Sequence, residues 1–248
     1  MKEKIYTIPV NEGFEADDEC PFCAMERAVE RSAIRYVAGP AASYMEPDVR
    51  AATDKAGFCR EHMKKLYDYG NTLGAALILQ THMAGIIEEF QAEAFQVPKK
   101  KGFFAKKAES DSNAYWKRLQ ARVSSCYICD KLEYNMERYF ATFFYLIREE
   151  EFRKKVEHSK GFCLRHFARL METAGEKLPG AQQEWFYATV FSLMEENMVR
   201  VKQDLDWLIA KYDYRNASAP WGNARDALPR AMEKLEGLHP ADPPYRNE

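Results

Sequence analysis

The chain has 248 residues, with 36 Lys plus Arg against 38 Asp plus Glu and a formal charge of -2, so it lacks the basic excess that a dedicated nucleic-acid binder uses to displace counterions. Hydrophobic residues make up 46% and charged residues 30%, which excludes a disordered chain and leaves ample apolar surface for a core. With only 12 Gly and 11 Pro, breaks are few and long helices are expected.

The first segment, 1–19, reads as an N-terminal extension. Its sequence, MKEKIYTIPVNEGFEADDE, carries acidic residues where a secretory leader needs an apolar run, and this points to the cytoplasm. A first helical unit then spans 20–97. It opens with CPFC (Cys20 to Cys23). Met25, Ala28, Val29, Ala33, Tyr36 and Val37 follow at three- and four-residue steps, with Glu26, Arg27, Glu30, Arg31 and Arg35 on the solvated face, the pattern of an amphipathic helix. GFCREH ends at His62 and starts another helix, in which Met63, Leu66 and Tyr67 precede Gly70, a residue suited to a left-handed C-terminal cap. A long helix carries Leu73, Leu77, Met83, Ile86, Ile87 and Phe90. Its richest stretch, LGAALILQTHMAGIIEEF, is interrupted by Gln80, Thr81 and His82, so no membrane span is expected.

Residues 98–112, PKKKGFFAKKAESDS, form a basic linker. Lys99, Lys100, Lys101, Lys106 and Lys107 with Phe103 and Phe104 could face phosphates or an anionic membrane, but a solvated tether is the simpler reading. A second unit, 113–214, repeats the order. CYIC (Cys126 to Cys129) precedes a greasier helix with Leu132, Met136, Tyr139, Phe140, Phe143, Phe144 and Ile147. GFCLRH, ending at His166, precedes Phe167, Leu170, Met171 and Ala174 before Gly175, a second glycine suited to a left-handed cap, and a long helix holds Phe186, Val190, Leu193, Asn197, Val201, Leu205 and Leu208. The extension 215–248 contains one short helix, docked through Leu228, Met232 and Leu235 before Gly237, and a frayed tail. No segment alternates with period two. The expected fold is all-α, two homologous helical units packed about a pseudo-twofold axis.

The CxxC pair recurs after 106 residues and the CxxH pair after 104, and the two copies consume all six cysteines. A CxxC brings two sulfurs within one turn, a CxxH at a helix start adds a sulfur and an imidazole, and two such half-sites make a tetrahedron. Gly57 and Gly161 supply the free torsions of tight knuckles, and helix N-termini favour thiolates. Three thiolates and one imidazole suit zinc in a closed, structural site. The expected cofactor is therefore two zinc ions, on Cys20, Cys23, Cys59, His62 and on Cys126, Cys129, Cys163, His166. This in-copy pairing is favoured only by simplicity, since Cys20 and Cys23 could instead share an ion with Cys163 and His166. An iron-sulfur cluster on the same ligands is the alternative, and metal-free thiols or disulfides are a third reading. His82 and His158 are more simply core or surface histidines than extra ligands. Glu88, Glu89, Glu93, Glu195 and Glu196 read as solvated faces, and Trp116, Trp185, Trp207 and Trp221 as core or packing residues. No phosphate loop, GxSxG or HExxH is present.

CPFC with GFCREH, CYIC with GFCLRHF, and DALPRAMEKLEG near the end together resemble a family of uncharacterised cytoplasmic proteins from anaerobic Gram-positive bacteria, known only as a domain of unknown function. The resemblance runs across nearly the whole length and implies a bacterial, metal-binding helical protein without supplying an activity. CYIC departs from the CPxC pattern, a change that leaves the ligands intact but alters the second knuckle. The function expected is a non-enzymatic interaction or scaffold protein with a protein partner. The alternatives are an iron-sulfur redox or oxygen sensor, and an enzyme braced by its metals.

Overall fold

The computed structural model describes residues 4–41, 43–92 and 111–237, with backbone alone at 111–115. Lys99, Lys100, Lys101, Phe103, Phe104, Lys106 and Lys107 of the expected linker, together with Glu93, His239 and the tail, lie outside these residues. The described chain contains eleven α-helices and no strand: α1 (Lys4–Glu15), α2 (Pro21–Ala38), α3 (Pro47–Ala56), α4 (Arg60–Tyr69), α5 (Thr72–Ala92), α6 (Asp111–Ser124), α7 (Tyr127–Leu146), α8 (Glu150–His158), α9 (Leu164–Lys177), α10 (Gly180–Ala210) and α11 (Ala227–Glu236). The all-α expectation holds. Among the described residues no helix is long and apolar enough to cross a membrane.

Two compact units emerge, and they cut across the sequence segments 20–97 and 113–214. The first draws on Met1–Ala28 and Tyr134–Pro243, the second on Val29–Glu133. The divisions fall inside α2 and α7, so each of these helices serves both units. In the first unit an aromatic core joins Phe14, Phe22, Phe140, Phe143, Phe152, Phe162 and Phe186. Phe22 stacks on Phe140 with centroids 4.2 Å apart, and Phe14 meets Phe152 edge-on at 5.1 Å. Such pairs add about 0.5–1.5 kcal/mol each beyond the area that they bury. The second unit has a mixed core in which Ile34, Val37, Leu66, Ile78 and Ile128 pack with Phe58, Tyr69 and Tyr127.

Helix ends follow local chemistry. Gly70 caps α4 at φ 90° and Gly237 caps α11 at φ 77°, a region that costs L-residues strain. Gly175 departs from expectation. It lies inside α9, which continues to Lys177 and ends at Leu178 in extended conformation, because the following Pro179 disfavours the helical region for the residue before it. The C-terminal helix α11 also turns the other way. Leu228, Met232 and Leu235 are 44–54% exposed, whereas Ala227, Ala231, Glu233 and Lys234 are buried. Polar contacts set this orientation. Lys234 Nζ donates to the Glu19 carbonyl at 2.6 Å and also to the Lys160 carbonyl, while Arg27 donates to Glu233 at 2.7 Å. The tryptophans are not core residues either: Trp116 is exposed and Trp185, Trp207 and Trp221 are half-buried.

A candidate metal centre in each unit

The eight motif residues gather into two groups, but not by copy. Cys20, Cys23, Cys163 and His166 form one, and Cys59, His62, Cys126 and Cys129 the other, with the donor atoms of each within 4.8 Å of one another. The expected pairing of Cys20 and Cys23 with Cys59 and His62, and of Cys126 and Cys129 with Cys163 and His166, is corrected: each CxxC meets the more distant CxxH. Packing beside the motifs accounts for the exchange. Phe22, inside CPFC, lies 6.0 Å from Phe162 of the second GFC, and Tyr127, inside CYIC, lies 6.4 Å from Phe58 of the first. The second contact is reinforced where CYIC departs from CPFC, since the Tyr127 N–H donates to the Gly57 carbonyl at 2.9 Å, a bond unavailable to a proline at that position.

Each group is built at two helix starts. Cys20 precedes α2 and Cys23 lies in its first turn, while Cys163 is the N-cap of α9 and accepts from the His166 N–H at 3.5 Å. In the second group Cys126 precedes α7 and accepts from the Cys129 N–H at 3.5 Å, and Cys59 is the N-cap of α4. Both knuckle glycines adopt positive φ, 60° at Gly57 and 78° at Gly161, as expected from the motifs. At Gly57 a Cβ would also come within 2.8 Å of the His82 ring.

The internal distances match closely. In the first group His166 Nδ1 lies 3.4, 3.4 and 3.2 Å from the sulfurs of Cys20, Cys23 and Cys163, with Cys23 and Cys163 3.6 Å apart. In the second, His62 Nδ1 lies 3.2, 3.3 and 3.4 Å from Cys59, Cys126 and Cys129, with Cys59 and Cys129 3.9 Å apart. With zinc bonds of about 2.3 Å to sulfur and about 2.0 Å to nitrogen, a tetrahedron has edges of about 3.8 Å for S···S and about 3.6 Å for S···N. The donor sets fit one such ion each.

Outside the donors, α2 serves both histidines. His62 Nε2 meets Glu30 Oε1 at 3.0 Å, and Lys65 Nζ donates to the same oxygen at 2.5 Å. One turn earlier, Glu26 lies 3.8 Å from His166 Nε2 and pairs with Arg165. The Glu30 carboxylate, within hydrogen-bond reach of His62 Nε2, holds Nδ1 toward the sulfurs and raises its basicity, the usual support of a metal-binding imidazole; Glu26, at 3.8 Å, acts on His166 only through its charge. Sequence periodicity places Glu26 and Glu30 on the solvated face of α2, yet Glu30 is buried.

Electrostatics describe a site that needs a cation. Burial opposes ionisation of Cys126 most strongly, but the His62 hydrogen bond, the backbone hydrogen bonds of Cys129 and Cys59 and the His62 charge together bring the thiol to about 6. Despite its own burial, His62 rises to about 10 through Cys126 and Glu30. Burial and the neighbouring Cys126 push Cys129 up. In the first group, hydrogen bonds from Cys20 and Cys23 lower Cys163. Burial raises Cys20, and hydrogen bonding to Cys163 raises Cys23. The first group thus favours a thiolate at Cys163 beside neutral Cys20 and Cys23, and the second favours one at Cys126 beside a neutral Cys129; a divalent ion is what would ionise the remaining thiols.

The groups differ in cover. All four donors of the first are buried, whereas in the second Cys59 is half-buried and Cys129 exposed. Gly237 closes the first: a Cβ there would stand 3.2 Å from the sulfurs of both Cys23 and Cys163. His82 and His158 lie outside both groups. The His82 ring bonds the Asp54 carbonyl through Nδ1 at 2.8 Å and His158 the Lys154 carbonyl at 2.6 Å. Glu88, Glu89, Glu195 and Glu196 are exposed.

The fold and the two donor sets define an all-helical protein with paired three-cysteine, one-histidine groups able to hold metal. Within that class the chain belongs to the Family of unknown function (DUF6062), whose pattern matches residues 1–242. No curated protein and no solved structure matches it.

Proposed function

We propose that the protein binds two zinc ions, one on Cys20, Cys23, Cys163 and His166 and one on Cys59, His62, Cys126 and Cys129, and acts as a non-enzymatic helical scaffold for a protein partner in a reducing, cytoplasmic setting. The observation that carries this reading is the pair of near-tetrahedral donor sets with every donor atom within 4.8 Å of the others. That spacing suits a single ion better than a cluster, whose thiolates reach different irons and so stand further apart. Four protein donors leave no position for water or substrate, as in structural zinc sites. All six cysteines are free of disulfides, in keeping with a reducing compartment. The matched distances in the two groups support an internal duplication whose half-sites pair crosswise. When bound, each ion would crosslink two helix starts distant in sequence and add folding free energy. The chain's own part is to orient the His62 imidazole through Glu30 and to supply the thiolates at helix N-termini.

Elemental analysis with an absorbance spectrum on anaerobically purified protein tests the reading. Two zinc ions per colourless chain are expected. Less than one zinc per chain, or a broad absorbance near about 400 nm that bleaches in air, would contradict it.

A further inference from the structure

We infer that the second group, Cys59, His62, Cys126 and Cys129, is a thiol-reactive zinc site that releases its ion when a hydroperoxide oxidises Cys59 and Cys129, while the first group keeps its ion. The inference rests on the zinc reading above and deepens it.

Proximity alone does not single out the second group. Its sulfur pair Cys59 and Cys129 is 3.9 Å apart, and Cys23 and Cys163 in the first are 3.6 Å apart. Either pair could close a disulfide after small movements. Access and charge separate them. An oxidant must touch a sulfur, and Cys129 is exposed with Cys59 half-buried, whereas Cys20, Cys23 and Cys163 are all buried. The first group is also covered by the end of α11, whose Gly237 lies so close that an added carbon would stand 3.2 Å from the sulfurs of Cys23 and Cys163. That cover is pinned by Lys234, 1% exposed, which bonds the Glu19 carbonyl next to Cys20 and lies 3.2 Å from the Glu19 carboxylate.

Charge acts in the same direction. Three thiolates around a divalent ion carry one net negative charge, which makes them nucleophilic. In the first group that charge faces Lys234, which interacts with Cys20, and Arg165, which interacts with Cys163 and Cys23. Nearby cations damp sulfur nucleophilicity.

The chemistry balances with hydrogen peroxide as the only added reagent, an organic hydroperoxide releasing its alcohol in place of the first water. The Cys129 thiolate attacks a peroxide oxygen, the O–O bond breaks, and a sulfenic acid forms as one water leaves with a solvent proton. The Cys59 thiolate then attacks that sulfur, the S–O bond breaks, and the second water leaves with another proton. Two electrons pass from the two sulfurs to the peroxide. Both Zn–S bonds are lost, and the ion departs from the two remaining donors, His62 and Cys126.

The test uses the full chain loaded with two zinc ions, treated with a small excess of hydrogen peroxide in the presence of a zinc-chelating dye, with the cysteine linkages then mapped by mass spectrometry. One ion is expected to leave at least about tenfold faster than the other, together with a Cys59–Cys129 disulfide. Both ions leaving at one rate, or a Cys23–Cys163 linkage forming first, would overturn the inference while leaving the zinc reading intact. Cys129→His keeps a fourth donor without its sulfur, and the two-zinc form of this variant should lose the fast phase. A fast phase that persists also overturns it. If that variant does not load two ions, the linkage map of the parent decides. Protein without zinc before peroxide is added would overturn the zinc reading and this inference together.

Discussion

Crosswise pairing makes an unusual prediction about combined substitutions. Cys59→Ser removes one of four donors from the second group, and an incomplete tetrahedron binds weakly, so the variant should purify with one zinc per chain instead of two. Cys126→Ser should do the same. Because both residues serve one ion, the double variant should still hold one zinc, and the second substitution should add little destabilisation to the first. Cys59→Ser with Cys20→Ser strikes both groups and should leave none. Structural zinc contributes on the order of 10 kcal/mol to folding in small zinc modules, comparable to the whole stability of a typical domain. Strong coupling is therefore expected between Cys59 and Cys126, and near-additivity between Cys59 and Cys20. The second unit keeps the mixed core around Ile34, Leu66 and Ile78, so zinc content is the primary readout and thermal melting the second. In-copy pairing forecasts the reverse. A Cys59/Cys126 double variant without zinc, or a Cys59/Cys20 double variant retaining one ion, would refute the crosswise assignment.

Three further outcomes follow from the same geometry. Glu30→Gln should weaken zinc at the second group by about 10- to 100-fold in a competitive chelator titration, as expected when the support of a ligating histidine is lost, and should leave the first group unchanged. Gly57→Ala adds a Cβ 2.8 Å from the His82 ring at φ 60°, and a loss of about 1–3 kcal/mol is expected in denaturant melts, against a gain of about 0.5–1 kcal/mol for Gly85→Ala inside α5, where a Cβ meets nothing within 4 Å. Glu233 is raised to about 7, chiefly by burial and also by Asp18, with Arg27 opposing. The folded state therefore holds more protons than the unfolded one between about pH 4.5 and 7. Stability from this group is fully present below the lower value and is lost as pH rises through the upper. Glu233→Gln should flatten the pH dependence of melting across that window, and an unchanged slope would contradict the assignment.

Much of the helical order was legible because apolar periodicity is strong where one face is buried. The patterns around Val37, Phe143, Leu170 and Val190 each mark a helix that the structure contains. Helices α1, α3, α6 and α8 were not read. Helix α1 carries Pro9 in its interior, α3 buries only Val49 and Thr53, and α8 only Phe152 and Val156, too few positions to define a period. The orientation of α11 differs from its apolar spacing for another reason. Leucine and methionine spacing pointed inward, but the contacts of Lys234 and Glu233 are long-range and invisible to a local pattern. The eight donors were legible from spacing, whereas their pairing was not, since Phe22 with Phe162 and Tyr127 with Phe58 are meetings between residues more than sixty positions apart. Glu26 and Glu30 looked like ordinary solvated charges, because nothing in helical periodicity announces a carboxylate that will meet an imidazole.

The most direct measurement of the central claim is X-ray absorption at the zinc edge on protein purified without added metal. The account predicts an average shell of three sulfurs at about 2.3 Å and one nitrogen at about 2.0 Å, the same for both ions. A metal–metal vector, oxygen in the first shell, or iron in place of zinc would contradict it.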